Sequence, residues 1–217
     1  HQRKMGIKDT PELALSDWHS YAEFGDDDIL PKEWAKYYVE RSIDIIFDWF
    51  TQRGITFLPL VNWPERGLFH PGNSIPRWHI AWGTGYEIIE STLKCLNRHP
   101  RRNKLKILFE HKVNQLILSK ERTLRGCGGV DERTAESFSV ESDNVVIASG
   151  GICGGDLTMV KDNWYKKWGN PPATLLNGSH RFADGTLHLE TARVGGRLTH
   201  LDKQWHYAAG IFHPHPA

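Results

Sequence analysis

The chain has 217 residues, enough for one large domain or two small ones, and its 39% hydrophobic and 24% charged residues mark a globular protein rather than a disordered or fibrous one. A formal net charge of +1 gives no overall pull toward nucleic acid, and no apolar run approaches the roughly 20 residues that span a bilayer. Cys95, Cys127 and Cys153 are widely spaced and form no CxxC pair, which argues against a disulfide framework or zinc knuckle and for a reducing, cytoplasmic setting.

The first 30 residues are acidic and broken, and the opening "HQRKMGIKDTPELAL" lacks the apolar core of a signal peptide. From Pro31, "PKEWAKYYVERSIDIIFDWFTQRG" predicts a helix that ends at Gly54, with Ala35, Val39, Ile43, Ile46 and Phe50 as one buried stripe. "ITFLPL" predicts a short strand, followed by a long Trp-, Pro- and Gly-rich loop from Val61 to Trp82 of the kind that often carries function. "TGYEIIESTLKCLNRH" predicts a second helix, with Thr84 and Glu87 as a capping box.

The rhythm then changes. "LKILF", "VNQLILS", "LRGCGGV" and "ESFSVES" have strand character with turns between them, which predicts an antiparallel meander. "NVVIAS" is an unbroken apolar run, as in a parallel strand buried on both faces. "DLTMVKDNWYKKWG" predicts a helix capped by Asp156 and ended by Gly169, and "ADGTLHLETARVGG" another, capped by Asp184 and stopped at Gly195. Between Lys94 and Arg125 there are ten Lys/Arg against Glu110 and Glu121, but no nucleic-acid-binding motif accompanies them, so the run reads as a solvated surface. Trp34, Trp49, Trp164 and Trp168 lie on predicted helices and read as core, whereas Trp78 and Trp82 flank His79 in the loop and are the better pocket candidates. His200, His206, His213 and His215 fit no metal-ligand spacing, so no metal is expected.

Ser149, Gly150 and Gly151 end the apolar run where ligands bind in open α/β sheets, and glycines there let a backbone or ligand approach closely. The order of helix, meander, "VVIASGG" and then Asp184, Gly185, Ala192, Gly195 and Gly196 resembles the FAD-binding domain of the fumarate reductase/succinate dehydrogenase flavoprotein superfamily. The branch it most resembles holds the 3-ketosteroid Δ1-dehydrogenases, through Trp63 to Gly67, Gly72 to Gly85 and Trp205 to Tyr207.

The resemblance implies FAD as cofactor and an α/β fold, α+β in part: an incomplete FAD-binding domain with a parallel-sheet strand, a β-meander and packed helices. Residues 1–217 would be the central portion of one such domain. Within it, 31–100 is a helical and loop segment, 105–155 the meander and return strand, and 156–217 a helical return toward a substrate cap. The G-x-G-x-x-G turn of such proteins is missing and the chain begins with His1, so it reads as part of a longer protein, inactive alone. By the same resemblance the backbone of Val113 would meet the adenine end of FAD, and Ser149, Gly150 and Gly151 would pass beside the adenosine and pyrophosphate. Asp184 would lie near the flavin, or serve only as a helix cap. His79, Trp82, Gly83, Thr84 and Gly85 would face the substrate; Gly83, Thr84 and Gly85 also suit a plain capped helix, and His79 a hydrogen-bonded loop histidine. The implied reaction is a dehydrogenation or reduction of a C–C bond next to a carbonyl, on a steroid-like or other small carbonyl compound. No catalytic residue and no electron acceptor is assigned. Two alternatives remain: a fumarate reductase-like enzyme using Arg66 and Arg77 for carboxylates, and a non-catalytic, aromatic-rich binding module.

Overall fold

Thr10 begins the first helix: its hydroxyl accepts the Leu13 N–H at 3.2 Å, and Pro11 supplies a first residue that has no N–H to satisfy. In the computed structural model, which describes residues 2–60 and 70–206, this helix (α1, Pro11–Ala22) belongs to the first of two units, His1–Lys106 and Ile107–Ala217. Helix α2 (Ile29–Arg41) packs against α1, with the Trp18 and Tyr38 rings edge-on at 5.4 Å. The helical path then continues through a π-turn, Ser42–Phe47, into α3 (Asp48–Thr51). Strands β1 (Phe57–Pro59) and β2 (His79–Ala81) pair antiparallel, and helix α4 (Thr84–Arg98) follows directly. The Ser91 hydroxyl donates to the Arg53 carbonyl at 2.7 Å, tying α4 to the turn after α3. Ala35, Ile55 and Ala81 form the buried apolar centre of this unit.

The second unit is built on the antiparallel meander β3 (His111–Leu118), β4 (Leu124–Asp131) and β5 (Ser137–Glu141). The β3–β4 register slips between Val113 and Gln115, a bulge at Asn114. A Cβ on Gly129 of β4 would collide with the Lys112 carbonyl oxygen, so glycine permits the close approach of the two strands there. Two short helices, α5 (Thr158–Asp162) and α6 (Thr186–Arg193), complete the unit around buried Leu116, Ile152 and Val160.

Helix α6 is fastened to β3 through one residue's main chain. The Glu190 carboxylate accepts the Leu116 N–H at 2.6 Å, Arg193 donates to the Leu116 carbonyl at 3.0 Å, and the two side chains pair at 2.7 Å. The Arg193 guanidinium first, and the Leu116 N–H second, hold the Glu190 carboxyl down at about 2. A folded-state value below the ordinary one means that the contribution to stability is complete above the usual glutamate pKa and fades as pH falls toward 2. Glu190→Gln is therefore expected to lower the melting temperature at pH 7 and to flatten the loss of stability between about pH 4.5 and 2. An unchanged acid melting curve would contradict it.

Several elements differ from the sequence reading. The buried stripe on the long helix fails at Ile43, which is 67% exposed, because the π-turn breaks the 3.6-residue period the stripe assumed. Trp34, Trp49 and Trp168 are exposed rather than core, and Trp164 is only half-buried. Thr84 and Glu87 form no capping box: Gly83 (φ 84°) is the cap, and Thr84 itself is left-handed, so its hydroxyl makes no cap bond. "LKILF" and "NVVIAS" pair with no strand among the described residues, whose sheets are all antiparallel; Val146 is 90% exposed. The helix expected over 156–169 is broken after Asp162, where the Asn163 amide turns back on the Met159 carbonyl at 2.9 Å. β2 was not anticipated inside the long loop. Trp63 to Gly67, Arg66, Tyr207, His213 and His215 lie outside the described residues.

Candidate functional site

In the second unit three segments distant in sequence converge. Gly150 has φ +80°, a left-handed conformation that glycine adopts without strain, and a Cβ there would stand 3.2 Å from the Ala183 Cβ. Four residues on, the Gly154 N–H donates to the Ala183 carbonyl at 2.8 Å, and a Cβ on Gly155 would lie 3.1 Å from that of Asp184. The Asn177 amide holds the Gly154 carbonyl from the other side at 2.6 Å. The glycine loop and the turn before α6 thus form one backed-up piece of backbone.

Asp184 does not occupy the cap position expected for it. Gly185 (φ 80°) does, while the Asp184 carboxylate accepts the Thr186 N–H at 2.9 Å, satisfying the start of α6 from one residue further out. Its second oxygen lies 3.6 Å from the Lys112 ammonium, and Lys112 immediately precedes Val113 on β3. Burial pushes the Asp184 carboxyl up, but the Thr186 hydrogen bonds and the Lys112 charge outweigh it and leave it below the usual aspartate range. The structure therefore brings Gly150, Asp184 and the residue next to Val113 into one neighbourhood.

Ser149, Gly150 and Gly151 are exposed, and the position a Cβ of Gly151 would take has no atom within 4 Å. Bare backbone with open space beside it, a left-handed glycine and a carboxylate paired with a lysine suit a ligand carrying hydroxyl and phosphate groups. These residues fit the adenosine diphosphate portion of a dinucleotide.

The residues expected on the substrate side lie in the first unit. The His79 ring donates through Nδ1 to the Arg77 carbonyl at 2.9 Å, and Trp82, Gly83, Thr84 and Gly85 are all exposed at the start of α4. Trp82 N–H donates to the Thr56 carbonyl, so the turn into α4 is tied to the strand pair. The loop before β2 is fixed by a network that sequence reasoning missed. Arg77 grips Asp9 in a fork with two 2.8 Å bonds and donates to Asp17 at 2.6 Å and to Asn73 at 2.9 Å. Asp17 also accepts the Ser74 N–H and hydroxyl, both at 2.8 Å. Burial raises Asp9 and Asp17, yet the hydrogen bonds from Arg77, Ser74 and Gln2 leave both carboxyls below their ordinary values. Arg77 is thereby committed to internal carboxylates. Lys112, likewise missed, has as its partner an acid 72 residues away, a separation that leaves no mark in a local pattern.

Helices set beside a glycine-cornered turn and an antiparallel meander define part of a dinucleotide-binding scaffold. The model of the FAD binding domain matches residues 1–212, and the chain belongs to that family, whose cofactor is FAD. It is 34% identical over 226 residues to a KsdD-like steroid dehydrogenase of Mycobacterium tuberculosis, an alignment that covers 97% of this chain and 39% of that protein. A KsdD-like steroid dehydrogenase of Mycolicibacterium smegmatis is 33% identical, with 97% and 41% covered. Among solved structures, the fold is similar to 3-ketosteroid-Δ4-(5α)-dehydrogenase from Rhodococcus jostii RHA1 in complex with 4-androstene-3,17-dione, with a TM-score of 0.64, 18% identity, and 93% of this chain and 44% of that one covered. The chain spans about two-fifths of the length of the curated relatives it matches.

Proposed function

We propose that the chain is the central portion of an FAD-dependent dehydrogenase acting on a C–C bond next to the carbonyl of a steroid-like compound, and that it is inactive alone. The observation that carries the reading is the convergence of Gly150, the turn at Ala183 and Asp184, and the Lys112–Val113 step, within a chain that belongs to the FAD binding domain family. Bound FAD would supply the hydride-accepting ring. This chain's part is to hold the adenosine diphosphate end through Val113, Ser149, Gly150, Gly151 and Asp184, while His79, Trp82, Gly83, Thr84 and Gly85 border the substrate. The likeness to steroid dehydrogenases supports a steroid as the substrate class. The fumarate reductase-like alternative is disfavoured by the engagement of Arg77 with Asp9 and Asp17, which leaves that guanidinium no free edge for a substrate carboxylate. A cytoplasmic location is part of the proposal, supported by three unpaired cysteines. No helix among the described residues is long and apolar enough to cross a membrane.

The test is made on the whole protein. It is expected to purify with a flavin absorbance band and, with a dye as electron acceptor, to turn over a 3-keto steroid but not a dicarboxylate. A colourless protein that takes up no FAD would favour a binding module instead, and turnover of the dicarboxylate alone would favour the reductase.

A further inference from the structure

Asp184 brings an unfavourable charge to the glycine-loop site. A carboxylate beside the path of a diphosphate repels it, and the turn that would offset that charge, the start of α6, is already occupied by the same carboxylate. The cation paired with Asp184 is Lys112. Its ammonium stands 3.6 Å from Asp184 Oδ2, its side chain is 42% exposed, and its backbone is held by the close approach of Gly129 next to the bulge at Asn114. Lys112 thus sits on a strand, oriented from behind, with its charge directed at the turn that backs Gly150 and its outer side open to solvent.

We infer that Lys112 is a further cofactor-holding residue, which offsets Asp184 and presents a positive charge to the diphosphate of the bound dinucleotide. This rests on the glycine loop and Asp184 turn being the FAD site. A lysine suits the task because its compact ammonium can serve a carboxylate and a phosphate oxygen at once, without the planar geometry an arginine imposes. Asp184 Oδ2 then remains the acceptor for a ligand hydroxyl, a role that carboxylates fill at ribose in dinucleotide sites.

The experiment measures ADP and adenosine binding to the flavin-stripped whole protein by calorimetry, since the two ligands differ by the diphosphate alone. In Lys112→Gln and Lys112→Met the dissociation constant for ADP is expected to rise about tenfold, the loss of one charge-assisted contact, while that for adenosine stays unchanged. The wild-type ADP affinity should fall with added salt more steeply than that of either variant, and Lys112→Arg should recover most of the binding. Equal weakening of ADP and adenosine would mean that Lys112 only supports the fold, and unchanged ADP affinity would remove it from the site; either overturns the inference. Gly150→Val separates this from the underlying reading. If that variant loses ADP while the Lys112 variants keep it, the Lys112 role alone falls. If all of them keep ADP and FAD, the glycine loop is not the cofactor site and both fall together.

Discussion

Replacing Gly150 with valine is expected to strip most of the flavin from the whole protein and to lower its melting temperature. The residue has φ +80°, where a non-glycine residue costs about 1–2 kcal/mol and a β-branched one is a true outlier. Its Cβ would press on Ala183 at 3.2 Å, and the valine methyls would stand beside backbone that the proposed site leaves bare. The two effects are separable. Gly150→Ala carries the backbone strain without the methyls and should cost stability but less flavin. The ratio of flavin to protein absorbance, read with a melting curve, checks both; full flavin content and an unchanged melt in the valine variant would refute the placement.

The second large effect is structural. Arg77→Met leaves two carboxylates, on side chains only 15% and 11% exposed, without their shared cation. Removing one partner of a buried ion pair costs about 3–5 kcal/mol; with some solvent left here the expected loss is ~3 kcal/mol, a drop in melting temperature of roughly 6–12 °C. Arg77→Lys should recover little, because an ammonium cannot reproduce the fork on Asp9 while reaching Asp17. Limited proteolysis should then cut first between Gly72 and Arg77. A methionine variant that melts like the wild type and resists cleavage would show the network to be dispensable.

What the sequence disclosed follows from the range of the interactions concerned. The meander was legible because alternation and turn residues are local, and the helix at Thr84 because one apolar face repeats over four turns. The π-turn at Ser42–Phe47 was not, since its one-residue slip leaves composition untouched. The glycine loop was legible as bare backbone, but its backing by Ala183 and Asp184 depends on chain separations near 30 residues that no period encodes. Asp9, Asp17 and Arg77 looked like ordinary surface charges for the same reason: their meaning lies in a meeting across 60 to 68 residues.

The unpaired run at Asn144–Ser149 bears on the order of events during synthesis. Hairpins such as β3–β4 and β4–β5 join residues close in the chain and close within about 1–10 μs. The apolar run that follows has no partner in that sheet, so any strand it joins must be found by a slower, long-range search. During that interval Val145, Val146 and Ile147 are a sticky, β-prone segment of the kind that nucleates association between nascent copies. The same glycines that open a path for a ligand also end this segment after six residues, keeping short the length of chain through which two molecules could zip together.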